Sequence, residues 1–167
     1  MRTLIFATLL MAGAQAADNT SGAAIDAKAA FARLKTLAGV WQGDTTMGKA
    51  RVTYDVIAGG TAVVERDTAE RMPEMQTVYH LDGGRLLLTH YCAAGNQPRM
   101  QASSFDAKSG ELAFRYLDAT NLAGNDAGHM HSARIRFVDA DHLAASWDFY
   151  EGGRLKSTEN VEYSRVR

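Results

Sequence analysis

The chain reads as an all-β protein: a single up-and-down antiparallel barrel of about ten strands behind a short N-terminal helix. Three observations give this reading. From Trp41 onward, apolar and polar residues alternate in short segments; Gly, Asp, Asn and Pro punctuate those segments at close intervals; and no apolar period of helical length interrupts the series. Many strands joined by short turns would leave long unpaired edges in an open sheet, so closure is the stable solution.

The elements follow in order. Residues 1–16 have the layout of a secretory signal, with Arg2, an apolar run from Leu4 to Met11, and Ala14 and Ala16 at a small-residue cleavage site. Cleavage after Ala16 implies a periplasmic or secreted product. The apolar run is too short to span a bilayer as a helix, and no cysteine follows it, so no membrane anchor is expected. Residues 17–22 form a small polar tether, and 23–167 form the barrel domain. Within that domain Ile25, Ala29, Phe31, Leu34 and Leu37 fall near a 3.6-residue repeat, with Ser21 or Asp26 as N-cap and Gly39 past the end. This predicts a helix of about three turns. The predicted strands are 40–47, 51–57, 61–67, 75–81, 85–92, 99–105, 111–117, 129–138, 142–151 and 155–165. Ala58-Gly59-Gly60, Asp82-Gly83-Gly84 and Lys108-Ser109-Gly110 supply the positive φ that tight hairpins need. The longest connection is expected over 118–128.

Hairpin geometry fixes the inward faces, because a one-residue slip turns every side chain over. Closing the fourth and fifth strands over Gly83-Gly84 pairs Leu81 with Leu86, Tyr79 with Leu88, Thr77 with His90 and Met75 with Cys92. This places His90 and Cys92 inside and His80 outside. For the eighth and ninth strands, a loop of Asp139-Ala140-Asp141 pairs Phe137 with Leu143, Ile135 with Ala145, and Ala133 with Trp147. Continued alternation then sets His131 beside Phe149 and His129 beside Glu151, both facing inward, while Arg134 and Arg136 face outward. His142 falls at the turn, where a solvated role is expected.

Composition excludes several functions. The formal net charge is −1, so no basic field draws in nucleic acid or anionic lipid. Cys92 is the single cysteine and has no internal disulfide partner; a buried inert thiol suits it better than a nucleophile, since no base or oxyanion donors are marked beside it. No G-x-S-x-G elbow and no Gly-rich phosphate loop occurs.

The strongest chemical feature is His129-Met130-His131. On a strand, i and i+2 share a face about 6.5 to 7 Å apart, close enough to converge on one ion or ligand. His90 is a third donor from another strand, with Cys92, Glu65 or Glu151 as further ones, in a set that suits zinc or iron. Hydrogen bonding of interior histidines to each other is the plainer alternative. Asn96, Gln97 and Arg99 lie in one polar connection between Gly95 and Pro98, fit for a cavity rim or equally for capping their own turn. Glu65 shares parity with Val63, which makes it a candidate inward carboxylate with a raised pKa. Tyr54, Tyr79, Phe114, Tyr116, Phe137, Trp147 and Phe149 would supply apolar walls.

Leu37-Ala38-Gly39-Val40-Trp41-Gln42-Gly43 carries a G-x-W at the first strand after a short helix, which resembles the calycin barrels: lipocalins, fatty-acid-binding proteins and nitrobindin-like proteins. The resemblance implies that Trp41 closes the barrel bottom beneath an arginine from the last strand, here Arg165 or Arg167. From about Phe31 to Tyr163 the chain also resembles exported bacterial lipocalin-like domains of unknown function, through 52–60, 89–100, 128–131, 141–142 and Trp147. Nitrobindin-like proteins hold haem through a histidine on the final strand; residues 157–165 contain none, which weighs against haem. The functional expectation is therefore a barrel that binds a small amphipathic or aromatic molecule, a binding protein rather than an enzyme, with His90, His129, His131, Asn96, Gln97, Arg99, Tyr79, Tyr116 and Trp147 at the site. The alternative is a metal-dependent protein using His129, His131 and His90.

Overall fold

The computed structural model describes residues 25–167; the expected signal and tether, and Ser21 as a cap, lie outside the described residues. The order is α1 (Ala27–Lys35), β1 (Gly39–Thr45), β2 (Gly48–Ile57), a 3-10 turn (Ala58–Gly60), β3 (Ala62–Ala69), β4 (Met72–Asp82), β5 (Arg85–Tyr91), β6 (Gln97–Asp106), β7 (Glu111–Thr120), β8 (His129–Phe137), β9 (His142–Glu151) and β10 (Arg154–Arg165). Each strand pairs antiparallel with the next, and β1 pairs with β10, giving a closed ten-stranded barrel. The fold class is as expected from alternation and turn spacing.

Helix α1 starts where the Asp26 carboxylate accepts from the Ala29 N–H at 2.9 Å, a cap that satisfies one free amide of the first turn. It buries Ala27, Ala30, Phe31 and Leu34 against the end of the barrel formed by the β2–β3, β4–β5, β6–β7 and β8–β9 connections. Trp41 is fully buried beside it, donating from Nε1 to the Leu37 carbonyl at 2.7 Å. The Arg165 guanidinium carbon lies 4.1 Å from the Trp41 ring centroid. Its nitrogens donate to the Ala38, Thr36 and Ala140 carbonyls. One arginine thus fastens helix exit, last strand and barrel floor together. Above this floor the lumen is filled by Val52, Val63, Tyr79, Leu86, Leu88, Met100, Leu112, Phe114, Ile135 and Leu143, each 2 % exposed or less.

Register agrees with expectation where a turn pins it. Leu81 pairs with Leu86, Tyr79 with Leu88 and Thr77 with His90; Phe137 pairs with Leu143, Ile135 with Ala145 and Ala133 with Trp147. It departs where a bulge intervenes. A shift between Met130 and Ser132 sets Met130, not His131, opposite Phe149, and His129 opposite Tyr150 rather than Glu151. The extra residue breaks the alternation, so the inward parity of Ile135 passes to Met130, which packs against the core, and not to both histidines. Strand β5 ends at Tyr91, so Cys92 is a turn residue and does not extend the inward face through His90. Strand β7 runs on to Thr120, which shortens the long connection to 121–128.

Candidate functional site

The two ends of the lumen differ in chemistry. Toward the helix it is apolar, whereas the end reached by the 46–47, 70–71, 92–96, 121–128 and 152–153 connections carries the inward polar groups. Pairing places Tyr54 beside Glu65, Glu65 beside Thr77 and Thr77 beside His90, so one inward row crosses four strands. Glu65 is 6 % exposed, and the Tyr79 hydroxyl donates to its Oε2 at 2.6 Å. Burial pushes the Glu65 carboxyl up to about 7; hydrogen bonds from Tyr79 and Tyr54 pull against this, and Asp67 adds to it. The Tyr54 and Tyr79 phenols are driven well above their ordinary range, by burial first and then by Glu65, so both remain donors.

One step toward the open end, Asp67 pairs with Val52 and Met75. Burial raises it to about 6, with a further push from Glu159, and its Oδ1 is buried with no partner among the described residues. Glu159 lies opposite Trp147 and accepts from the Thr46 N–H at 3.0 Å and hydroxyl at 2.7 Å. Asp67 and Glu159 were not anticipated from sequence, although the alternation that marks Glu65 marks Asp67 too.

His90 is 4 % exposed. Its Nδ1 meets the Thr77 hydroxyl at 2.9 Å, and its ring tilts against Trp147 with centroids 4.9 Å apart. Burial lowers its pKa to about 4, so the ring is neutral at physiological pH. Its Nε2 is buried without a partner among the described residues.

His129 and His131 meet beside the 121–128 connection. His129 Nδ1 lies 2.9 Å from the Ala127 carbonyl, and a carbonyl only accepts, so that nitrogen carries the proton and Nε2 offers a lone pair. His131 Nδ1 donates to it at 3.0 Å. The His131 ring is stacked between Tyr116 (centroids 4.7 Å, 14°) and Tyr150 (4.3 Å, 23°). Its pKa is lowered, by burial first and then by His129, against an opposing pull from Asp148. Asp148 itself accepts from Ser132 Oγ at 2.5 Å and Thr158 Oγ1 at 2.6 Å; burial acts to raise it, and these bonds bring it below its ordinary range.

The structure thus joins His129 to His131 but gives His90 different partners, Thr77 and Trp147. Among the described residues no group of three or more His, Cys, Asp or Glu side chains is arranged to hold a metal ion, and the register shift between Met130 and Ser132 sets His131 outside the alternation that leads to Ile135. The residues of the expected polar loop bond to neighbouring elements. Asn96 Nδ2 donates to the Gly128 carbonyl at 2.8 Å, Gln97 Oε1 accepts from Thr120 at 2.8 Å, and Arg99 pairs with Asp118 on the exposed wall. Of these three, only Asn96 is buried, and its Oδ1 has no partner among the described residues. Burial pushes the Cys92 thiol up, which suits an inert thiol.

The sequence matches no protein-family model and no curated protein. The fold does have solved counterparts. The crystal structure of Rv2717c from M. tuberculosis superposes with a TM-score of 0.57 at 16% identity, covering 83% of this chain and 98% of that one. A protein of unknown function from the DUF3598 family of Nostoc punctiforme gives a TM-score of 0.53 at 12% identity, covering 80% of this chain and 49% of that one. At these identities the likeness is one of fold: this chain is a closed antiparallel barrel similar in fold to these two proteins.

Proposed function

We propose that this chain is a calycin-type barrel, working in the periplasm or outside the cell, that binds a small amphipathic or aromatic molecule in the polar half of its lumen. The observation that carries the reading is the pair of buried, inward-facing atoms His90 Nε2 and Asp67 Oδ1, neither of which has a hydrogen-bond partner among the described residues. A buried polar atom left unpaired costs about 1 to 3 kcal/mol. A ligand with one polar end that pairs with these atoms, and an apolar body against Trp147, Phe149, Met75 and Met130, recovers that cost. Few convergent polar groups among apolar walls are the usual chemistry of a small-ligand site. Within this reading the selectivity rests on His90, Thr77 and Asp67 rather than on Gln97 and Arg99.

The test is organic extraction of the purified, untagged protein followed by mass spectrometry, with a fluorescence titration against amphipathic and aromatic compounds. Trp147→Phe assigns the signal, because Trp41 is sealed under the helix. The expected result is a stoichiometric ligand whose affinity falls at least about tenfold in His90→Leu, the factor that loss of one good hydrogen bond to a buried group produces. An empty extract together with no Trp147-dependent change across the panel would sink the proposal.

A further inference from the structure

We propose that His129 Nε2 and His131 Nδ1 form a two-nitrogen chelate for a divalent transition-metal ion at the open end of the barrel. This stands apart from the lumen reading and does not depend on it.

The donor geometry comes first. The two nitrogens are 3.0 Å apart. Two imidazole nitrogens bound to one ion at 2.0 to 2.1 Å must stand roughly 2.9 to 3.4 Å apart, between a right angle and a tetrahedral one. The pair therefore already has the separation that a shared ion demands, with a proton now occupying the space between them.

Orientation comes next. A histidine that ligates a metal characteristically donates its other ring N–H to a carbonyl or carboxylate, which fixes the tautomer and makes the free nitrogen a better donor. His129 has this arrangement, with Nδ1–H held by the Ala127 carbonyl at 2.9 Å. His131 reaches the same state by moving its proton from Nδ1 to Nε2, which frees the Nδ1 lone pair and leaves the ring neutral. Both lone pairs must then swing off the line joining them. The stacked faces of Tyr116 and Tyr150 allow His131 to turn within its own plane while resisting tilt.

Charge and access complete the case. Asp148, fixed by Ser132 and Thr158, stands opposite Ser132, the residue after His131, and places a carboxylate beside the pair. Tyr116, His131 and Tyr150 are all half-buried, so solvent reaches the edge of the site. Among the described residues no group of three or more His, Cys, Asp or Glu side chains is arranged around an ion, which leaves the remaining positions for water or an added ligand. Imidazole ligation with open positions suits copper(II), nickel(II) and zinc(II) better than magnesium or calcium.

The experiment uses untagged full-length protein stripped with chelator and titrated with copper(II) and zinc(II). The expected result is one ion per chain, copper EPR hyperfine structure from two nitrogens, and zinc-induced 15N shifts at His129 Nε2 and His131 Nδ1. His129→Gln and His131→Gln should each weaken binding by at least about tenfold, while His80→Gln on the barrel wall leaves it unchanged. The 15N measurement on the parent protein decides the matter even if His129→Gln folds poorly. Absence of stoichiometric binding, binding retained in the double variant, or shifts at other histidines in place of these two would overturn the proposal.

Discussion

Glu65→Gln isolates the cost of ionising a carboxyl inside this barrel. Glu65 titrates at 4.5 when unhindered and at about 7 in the folded chain, where burial dominates. Between those values the native state holds the proton more tightly than the unfolded one, so stability falls as pH climbs through the window. Below 4.5 the contribution of the protonated group is fully present; above about 7 it is gone. A carboxyl moved that far is worth about 3 kcal/mol, of which about 2 to 3 kcal/mol is lost between roughly pH 5 and pH 8. Glutamine keeps an acceptor for the Tyr79 hydroxyl and never ionises. Urea unfolding of parent and variant across that range should therefore show the stability difference moving by about 2 to 3 kcal/mol in favour of the variant as pH rises. His90 acts with the opposite sign, since burial depresses it from 6.5 to about 4; it is common to both chains and cancels in the difference. Parallel stability curves from acid to mild alkali would refute the reasoning, because they would mean that Glu65 ionises as easily inside as outside.

Other perturbations probe the floor and the turns. Arg165→Ala removes the cation–π contact on Trp41 and the donors to the Ala38, Thr36 and Ala140 carbonyls; chemical denaturation should show a loss of about 2 to 4 kcal/mol, with Arg165→Lys recovering only part. Gly110 has φ +71°, and an added Cβ would stand 2.6 Å from the Phe137 carbonyl oxygen. Gly110→Ala should accordingly lower stability by about 1 to 3 kcal/mol, whereas Gly84→Ala, with open space around it, should change thermal unfolding little.

Much of the architecture was legible because turns declare themselves. Gly83-Gly84 and the Asp139 to Asp141 stretch pin two hairpins, and with them the inward placement of His90, Tyr79, Ala133 and Trp147. The arginine over Trp41 was legible as well, as one of two candidates near the last strand. Bulges have no comparable signature: nothing in Met130-His131-Ser132 announces that one residue goes unpaired, and alternation carried past that point put both histidines on the wrong inventory of neighbours. The interior carboxylates show a different failure. Parity identifies Glu65 and, two residues on, Asp67, but Glu159 faces Trp147 only after the shift between Leu155 and Ser157, and no local pattern encodes a partner eleven or more residues away across a sheet. Gln97 and Arg99 are rim candidates by their chemistry, and only the pairing of β6 with β7 reveals that Thr120 and Asp118 stand beside them.

The seam between β1 and β10 joins the first and last strands through Trp41 with Arg165, Gln42 with Ser164, and Gly43 with Tyr163. Gly43 allows this approach, since a side chain there would run into the Glu162 carbonyl at 2.5 Å. The ring therefore cannot be completed until the final strand has emerged from the ribosome. A chain cut ahead of Val161 is not a smaller cylinder but a curled ribbon with two bare margins and an oily inner surface, ready to zip onto copies of itself. Proteolytic clipping near this seam should register as precipitation rather than as a shortened barrel that stays in solution.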